Sequence, residues 1–263
     1  MNRQRFLLLI KFDFFHSVFR LKGLLFFIPY FFYWYCVIWF FIKKGTGFLV
    51  TPQSIAITSM VFDHEIAEKL LIYNPAAISM FLLLSLASIP LFVMLAGNDQ
   101  LASDSGRKSL RYLLTRCTRI EIFLARFLSA FLLMASGILI IIIFITIISC
   151  YHDGYSINTT ITYAGQVLFF VILYSLPFFA FMAIVSAVMS SALGCLLSGF
   201  IFYVCLLVAD NYIDPRFSLL PSGLKHEILT ANSESILKIA AGLVIYTLVY
   251  LGLAWGLFRK RSI

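Results

Sequence analysis

Between residues 164 and 209 the chain runs for 46 residues without a single Asp, Glu, Lys, Arg or His. One helix of that length would be about 69 Å long, roughly twice what the hydrocarbon core of a bilayer takes. The run therefore reads as two membrane-crossing helices joined by a tight turn. Ser190-Ser191 is the candidate turn, giving spans of about 164–189 and 193–212. The composition agrees. Of the 263 residues, 62% are hydrophobic and 12% charged, where soluble domains carry about 25% charged residues. The mean hydropathy is +0.98. Too few polar residues remain to coat a water-soluble surface, so the expected class is an all-α polytopic membrane protein.

Four further segments are long and apolar enough to cross, at about 24–42, 76–97, 122–150 and 237–258, making six transmembrane helices. The core of the third, IIIIFITII, has no charge. Asn74-Pro75 reads as an N-cap and a first-turn proline for the second span. Pro90 and Pro177 fall inside spans two and four, where membrane helices tolerate them as kinks. No internal repeat or low-complexity tail is visible, so residues 1–263 read as one membrane domain.

Orientation follows from the basic residues, which concentrate on cytoplasmic segments. With the N-terminus inside, fourteen of the twenty Lys and Arg fall on inside segments, so both termini are expected in the cytoplasm. The same bias accounts for the net charge of +8 without invoking nucleic acid. The N-terminal apolar stretch is interrupted by Lys11, Asp13, His16 and Arg20 and does not read as a cleavable signal.

Two cytoplasmic segments stand out. In 103–121, SDSGRKSLRYLLTRCTRIE, Leu110, Leu113 and Leu114 share one helical face, while Arg107, Lys108 and Arg111 lie on others. Residues 103–119 thus read as a short amphipathic helix at the membrane surface. Thr118 and Glu121 then form a T-x-x-E capping box that starts the third span. The alternative is a basic loop that only sets topology. At the N-terminus, Asp13, His16, Ser17 and Arg20 make a narrow polar stripe at i, i+3, i+4 and i+7 among five aromatic and aliphatic residues. Residues of about 3–20 read as an interfacial helix, stripe towards water or a partner. A simple cytoplasmic extension of the first span is the competing reading.

On the outside, residues 43–75 contain Thr51-Pro52, another cap-plus-proline start. Residues 213–236 mix Pro215 and Pro221 with Phe217, Leu219 and Leu220, which suits either a segment dipping into the outer leaflet or an ordered surface loop.

The order of an interfacial helix, two spans, a cytoplasmic segment and four spans resembles the type-2 ABC transporter permeases. The phrase NDQLASDSGRKSLRYLLTRCTRIEIFLARFLSAFLL, residues 98–133, is similar to their loop between spans two and three. Asp104, Gly106, Leu113-Leu114, Thr118-Arg119 and Arg126 match the acidic residue, glycine, Leu-Leu pair, Ser/Thr-Arg pair and early basic residue that recur there. The closest flavour is the small permeases of multicopper-enzyme maturation, such as those serving nitrous-oxide reductase. Ser105 stands where the family often has Glu or Arg, and Arg116-Cys117 where a proline often precedes the Ser/Thr-Arg pair.

The resemblance implies a permease subunit of an exporter in the bacterial inner membrane. A second copy would complete a homodimeric pore, and two copies of a separate P-loop ATPase would bind ATP and Mg. The coupling contacts would be Asp104, Gly106, Arg107, Leu110, Arg111, Leu113, Leu114, Arg116, Arg119 and Glu121. A substrate path is expected between spans two and five, where Gly194, Ser198 and Gly199 are small. The alternative is a non-transporting scaffold or mechanical transmitter acting on a periplasmic or accessory protein.

This chain is not expected to be an enzyme. Gly106-Arg107-Lys108-Ser109 lacks the first glycine and the Gly-Lys pair of a P-loop. Asp63-His64-Glu65 is no HExxH, the four histidines fall outside the spans, and no charged pair is buried within one. The five cysteines fit no metal spacing, so neither a metal nor a disulfide is expected. Gly252-x-x-x-Gly256 is a GxxxG, read as packing within one subunit.

Overall fold

A computed structural model describes residues 3–19, 21–44, 70, 74–98, 100–102, 117–152, 155–210, 212, 219–230 and 236–260. Within them the fold is all-α. The helices are α1 (Arg3–Phe19), α2 (Leu21–Lys44), α3 (Ala76–Gly97), α4 (Arg119–His152), α5 (Ile157–Val188), α6 (Ala192–Asp210), a 3-10 turn at Pro221–Gly223, α7 (Leu224–Leu229) and α8 (Ile236–Lys260). Six of these, α2 to α6 and α8, are long and apolar enough to cross a membrane. The chain is a polytopic all-α membrane protein.

Helix ends follow local chemistry. α3 begins one residue later than a side-chain cap at Asn74 would give. Pro75 is its N-cap, with no capping side chain, and its carbonyl accepts from Ile78 N and Ser79 N at 3.1 and 3.0 Å. α5 starts seven residues before the expected boundary. Ser156 caps it by accepting from Thr159 N. The Thr160 and Thr162 hydroxyls donate back to the carbonyls of Ser156 and Asn158, at 3.1 and 2.9 Å. Hydroxyls satisfied within their own helix let a polar first turn belong to a long span. The Ser190-Ser191 turn is where expected. Met189 N closes α5 on Val185 O at 3.0 Å, and Ser191 Oγ opens α6 by accepting from Gly194 N at 3.1 Å.

α5 is the central post. It packs on α8, α3 and α4, and two thirds of its span window is buried, as is that of α3. Its Phe178, Phe179, Phe181, Met182 and Ala183 are all buried. α2 joins through a ring cluster: Trp34 lies 4.8 Å from Phe81 and Tyr30 4.9 Å from Phe92, centroid to centroid. Lipid is as apolar as these rings, so their contribution is close packing and not transfer out of water.

α6 and α8 are peripheral, with only 11% and 17% of their windows buried. Among the described residues nothing packs on the GxxxG. A Cβ on Gly252 or Gly256 would meet nothing within 4 Å, because α8 turns Ile239, Leu243, Ala254 and Phe258 inward instead. Beyond α6, Leu220, Pro221, Ile228 and Leu229 are buried. Asp210 holds this segment, accepting from Leu219 N at 2.7 Å and Ser222 Oγ at 3.3 Å. The Tyr250 hydroxyl donates to the Leu219 carbonyl. Residues 219–229 are thus an ordered, packed segment. Residues 45–69 lie outside the described residues, including the Thr51-Pro52 start.

Candidate functional site: the anchors of the basic segment

Of the expected coupling residues, Asp104, Gly106, Arg107, Leu110, Arg111, Leu113, Leu114 and Arg116 lie outside the described residues, as does Arg20 of the N-terminal stripe. What is described is how the chain is held immediately before and after them.

Before the segment, the chain leaves α3 and docks on α5. Gln100, Leu101 and Ala102 are buried. Leu101 N donates to Ser186 Oγ at 2.8 Å, and Gln100 Nε2 to Phe179 O at 3.4 Å. These contacts join positions 79 to 85 residues apart in sequence. Gly97 permits the approach, since a Cβ there would sit 3.3 Å from Met182 Cβ.

After the segment, the expected capping box is present. Thr118 N donates to Glu121 Oε2 at 3.0 Å, and Glu121 N to Thr118 Oγ1 at 3.4 Å. Glu121 is 5% exposed. Its carboxylate starts α4, which is a different task from meeting an ATPase. Arg119, half-buried, donates through Nη1 to the Arg259 carbonyl at 3.0 Å, at the exposed end of α8. The basic segment is therefore tethered to α5 on one side and to α4 and α8 on the other. Replacing Glu121 by Ala should lower stability by about 1 kcal/mol, the usual worth of a helix cap. Glu121→Gln, which keeps an acceptor, should cost less. Thermal unfolding of the detergent-purified protein measures both.

The N-terminal stripe has its partner within the chain. Asp13, 5% exposed, accepts from Arg126 Nη1 of α4 at 3.0 Å. Ser17 lies in the same cleft as Arg126, and His16 stacks on Phe12 with centroids 5.3 Å apart. α1 thus lies along α4 with polar residues inward, while Leu7, Leu8, Phe12, Phe15 and Phe19 are exposed. Of the two directions expected for the stripe, water or a partner, Asp13 takes the second and faces α4. The pair joins residues 113 apart, so neither local spacing nor the polarity of either helix reveals it.

Between α1, α3, α4 and the start of α6 lies a cleft lined by Ser17, Asn98, Gln100, Arg126 and Ser129 on its polar side and Leu25, Leu95 and Leu133 on its apolar side. Gln100 Oε1 is buried with no hydrogen-bond partner among the described residues. Among the described residues no three His, Cys, Asp or Glu side chains come together as metal ligands, and the five cysteines are free thiols. The described residues supply an ion pair, helix caps and the held flanks of the basic segment.

No family model matches this chain, and no curated protein matches its sequence.

Proposed function

We propose that this chain is the membrane-spanning permease subunit of an ATP-driven exporter, powered by a separate P-loop ATPase through residues 103–116. The observation that carries the reading is the double tether. A segment that must pass motion from an ATPase to a bundle needs stiff attachments. Here its ends are tied by Leu101 to Ser186 on one side, and by the Thr118–Glu121 box and Arg119 to Arg259 on the other. Displacing the segment pulls on α5, the most connected helix, and on α4 and α8. Its arginines can pair with carboxylates, and its leucine stripe can seat in an apolar groove.

A second copy completes the pore in this reading. The exposed apolar faces of α6 (Leu193, Leu197, Phe200, Ile201) and α8 (Ile245, Leu248, Leu253) are available to it or to lipid. The ordered outer segment held by Asp210 and Tyr250 supports a second reading, in which ATP-driven motion acts on a periplasmic partner and nothing is transported.

The test is purification of the tagged chain in mild detergent from its native host, beside Arg107→Glu/Arg111→Glu. The expected outcome is a P-loop ATPase recovered in equal amount with the wild type and lost from the variant. A stable, folded chain that brings down no ATPase would overturn the coupling reading. Flux in vesicles then separates export from mechanical transmission.

A further inference from the structure

We propose that the cavity between α3, α5 and α7, at the end of the bundle away from the basic segment, binds a small uncharged molecule. Its ligand has one ring-sized apolar group and an end that both donates and accepts hydrogen bonds, as a primary carboxamide does.

Gln166 is the starting point. It lies on α5, is exposed, and its carboxamide meets no hydrogen-bond partner among the described residues. α5 has 32 residues, about 48 Å, against a hydrocarbon core of about 30 Å. Centred in the bilayer it leaves about six residues beyond the core at each end, which puts Gln166 just inside the core. Lipid chains there offer an amide nothing, and an unpaired one is costly. The side chain lines the cavity, so a ligand with a donor and an acceptor satisfies both halves of the amide. Tyr163, one turn earlier on α5, lines it too. Its hydroxyl lies 3.0 Å from Ser79 Oγ. Two hydroxyls carry two hydrogens, and their mutual bond uses one. Ser79 is fully buried, with no other acceptor for its hydroxyl among the described residues, so its hydrogen goes to Tyr163. The tyrosine's own hydrogen is left for a ligand.

Size and charge narrow the ligand. The cavity has a volume of about 160 Å³, and an engineered protein cavity of about 150 Å³ lined by Leu, Ile and Phe takes benzene. Leu82, Val167, Phe170 and Leu229 give this one the same kind of wall. A lipid acyl chain, long enough to cross half of a core of about 30 Å, is too large for it. Among the described residues no charged side chain lines the cavity, so a charged ligand would be desolvated without compensation. An apolar wall with a few polar groups that fix orientation is the usual make-up of a small-molecule site. This site is independent of the permease reading, because it rests on these three helices alone.

The test uses the full chain in lipid nanodiscs with benzamide as the probe, read by saturation-transfer NMR against empty nanodiscs. Wild type should bind benzamide saturably, and benzoate, the same ring with a charge, at least tenfold more weakly. Gln166→Leu takes an unpartnered amide out of the bilayer, so the protein should stay folded while benzamide binds at least tenfold more weakly. Toluene, which uses only the apolar wall, should bind both proteins alike. Monooleoylglycerol, a neutral lipid with hydroxyl donors and an ester acceptor, should not displace benzamide at matched concentration. No saturable benzamide signal above empty nanodiscs, equal binding of benzoate, unchanged benzamide affinity in Gln166→Leu, or equal loss of toluene and benzamide there would overturn the proposal. Displacement by monooleoylglycerol would overturn the ring-sized ligand and make the cavity a site for neutral lipid.

Discussion

Asp13→Ala should destabilise the protein by about 2–3 kcal/mol. Removing one member of a buried ion pair typically costs 3–5 kcal/mol, because the remaining charge is left uncompensated. The lower figure applies because the Arg126 side chain keeps 20% of its exposure and can recruit some water. Arg126 cannot escape by losing its proton, since a guanidinium stays charged in proteins. Asp13→Asn retains an acceptor and should fall between Ala and wild type. The decisive measurement is a double-mutant cycle with Arg126→Met, unfolding all four proteins in one detergent. Each single variant should be destabilised, and the double variant should be less so than the sum. A coupling energy below about 0.5 kcal/mol, within the error of additivity for independent sites, would mean that the pair does not hold α1 on α4.

Gly23→Ala should open the elbow between α1 and α2 and cost about 1–3 kcal/mol, the range for forced overpacking. Gly23 is buried, and a Cβ there would overlap the backbone carbonyl oxygens of Ser17 and Val18. A backbone carbonyl cannot swing aside as a side chain can, so α1 itself must move. Gly199 makes a useful contrast. The atoms its Cβ would meet are Met182 Sδ and Cε, the flexible end of an adaptable side chain, so Gly199→Ala should be far milder. If the elbow sets the position of α1, Gly23→Ala will also shrink the Asp13–Arg126 coupling energy measured as above. Full retention of that coupling in the Gly23→Ala background would show that α1 docks on α4 without help from the elbow.

The two predictions concern one device. A helix whose outer face is Leu7, Phe12, Phe15 and Phe19 packs along α4, and the Asp13–Arg126 pair and the close approach at Gly23 fix its position. The same cleft borders Gln100 and the chain that leads into the basic segment.

Much of this was legible before any coordinates. Six apolar runs, the Ser190-Ser191 turn and the Thr118–Glu121 box are local signals. Each depends on residues within a few positions of one another, and on the requirement that a bilayer leave no backbone group unpaired. The start of α5 was not legible, because Thr159, Thr160 and Thr162 look like a loop until their hydroxyls are seen returning to helix carbonyls. Gly252 and Gly256 match an interface motif, yet which way the motif faces depends on the rotation of α8, set by Phe258 and Leu243 packing inward.

The sequence by itself determined that this is an all-α protein of six spans, with a polar stripe on its first helix and a capped, basic segment ahead of α4. Only the tertiary structure decided what the stripe is for, which side of α8 is open, and where the basic segment is tied. Asp13 meets Arg126 across 113 residues, Leu101 meets Ser186 across 85, and Arg119 meets Arg259 across 140. The reason is physical. Hydropathy and capping act through the few residues of one helical turn, whereas the pairing of buried charges and carbonyls depends on which helices the packing of the bundle brings together.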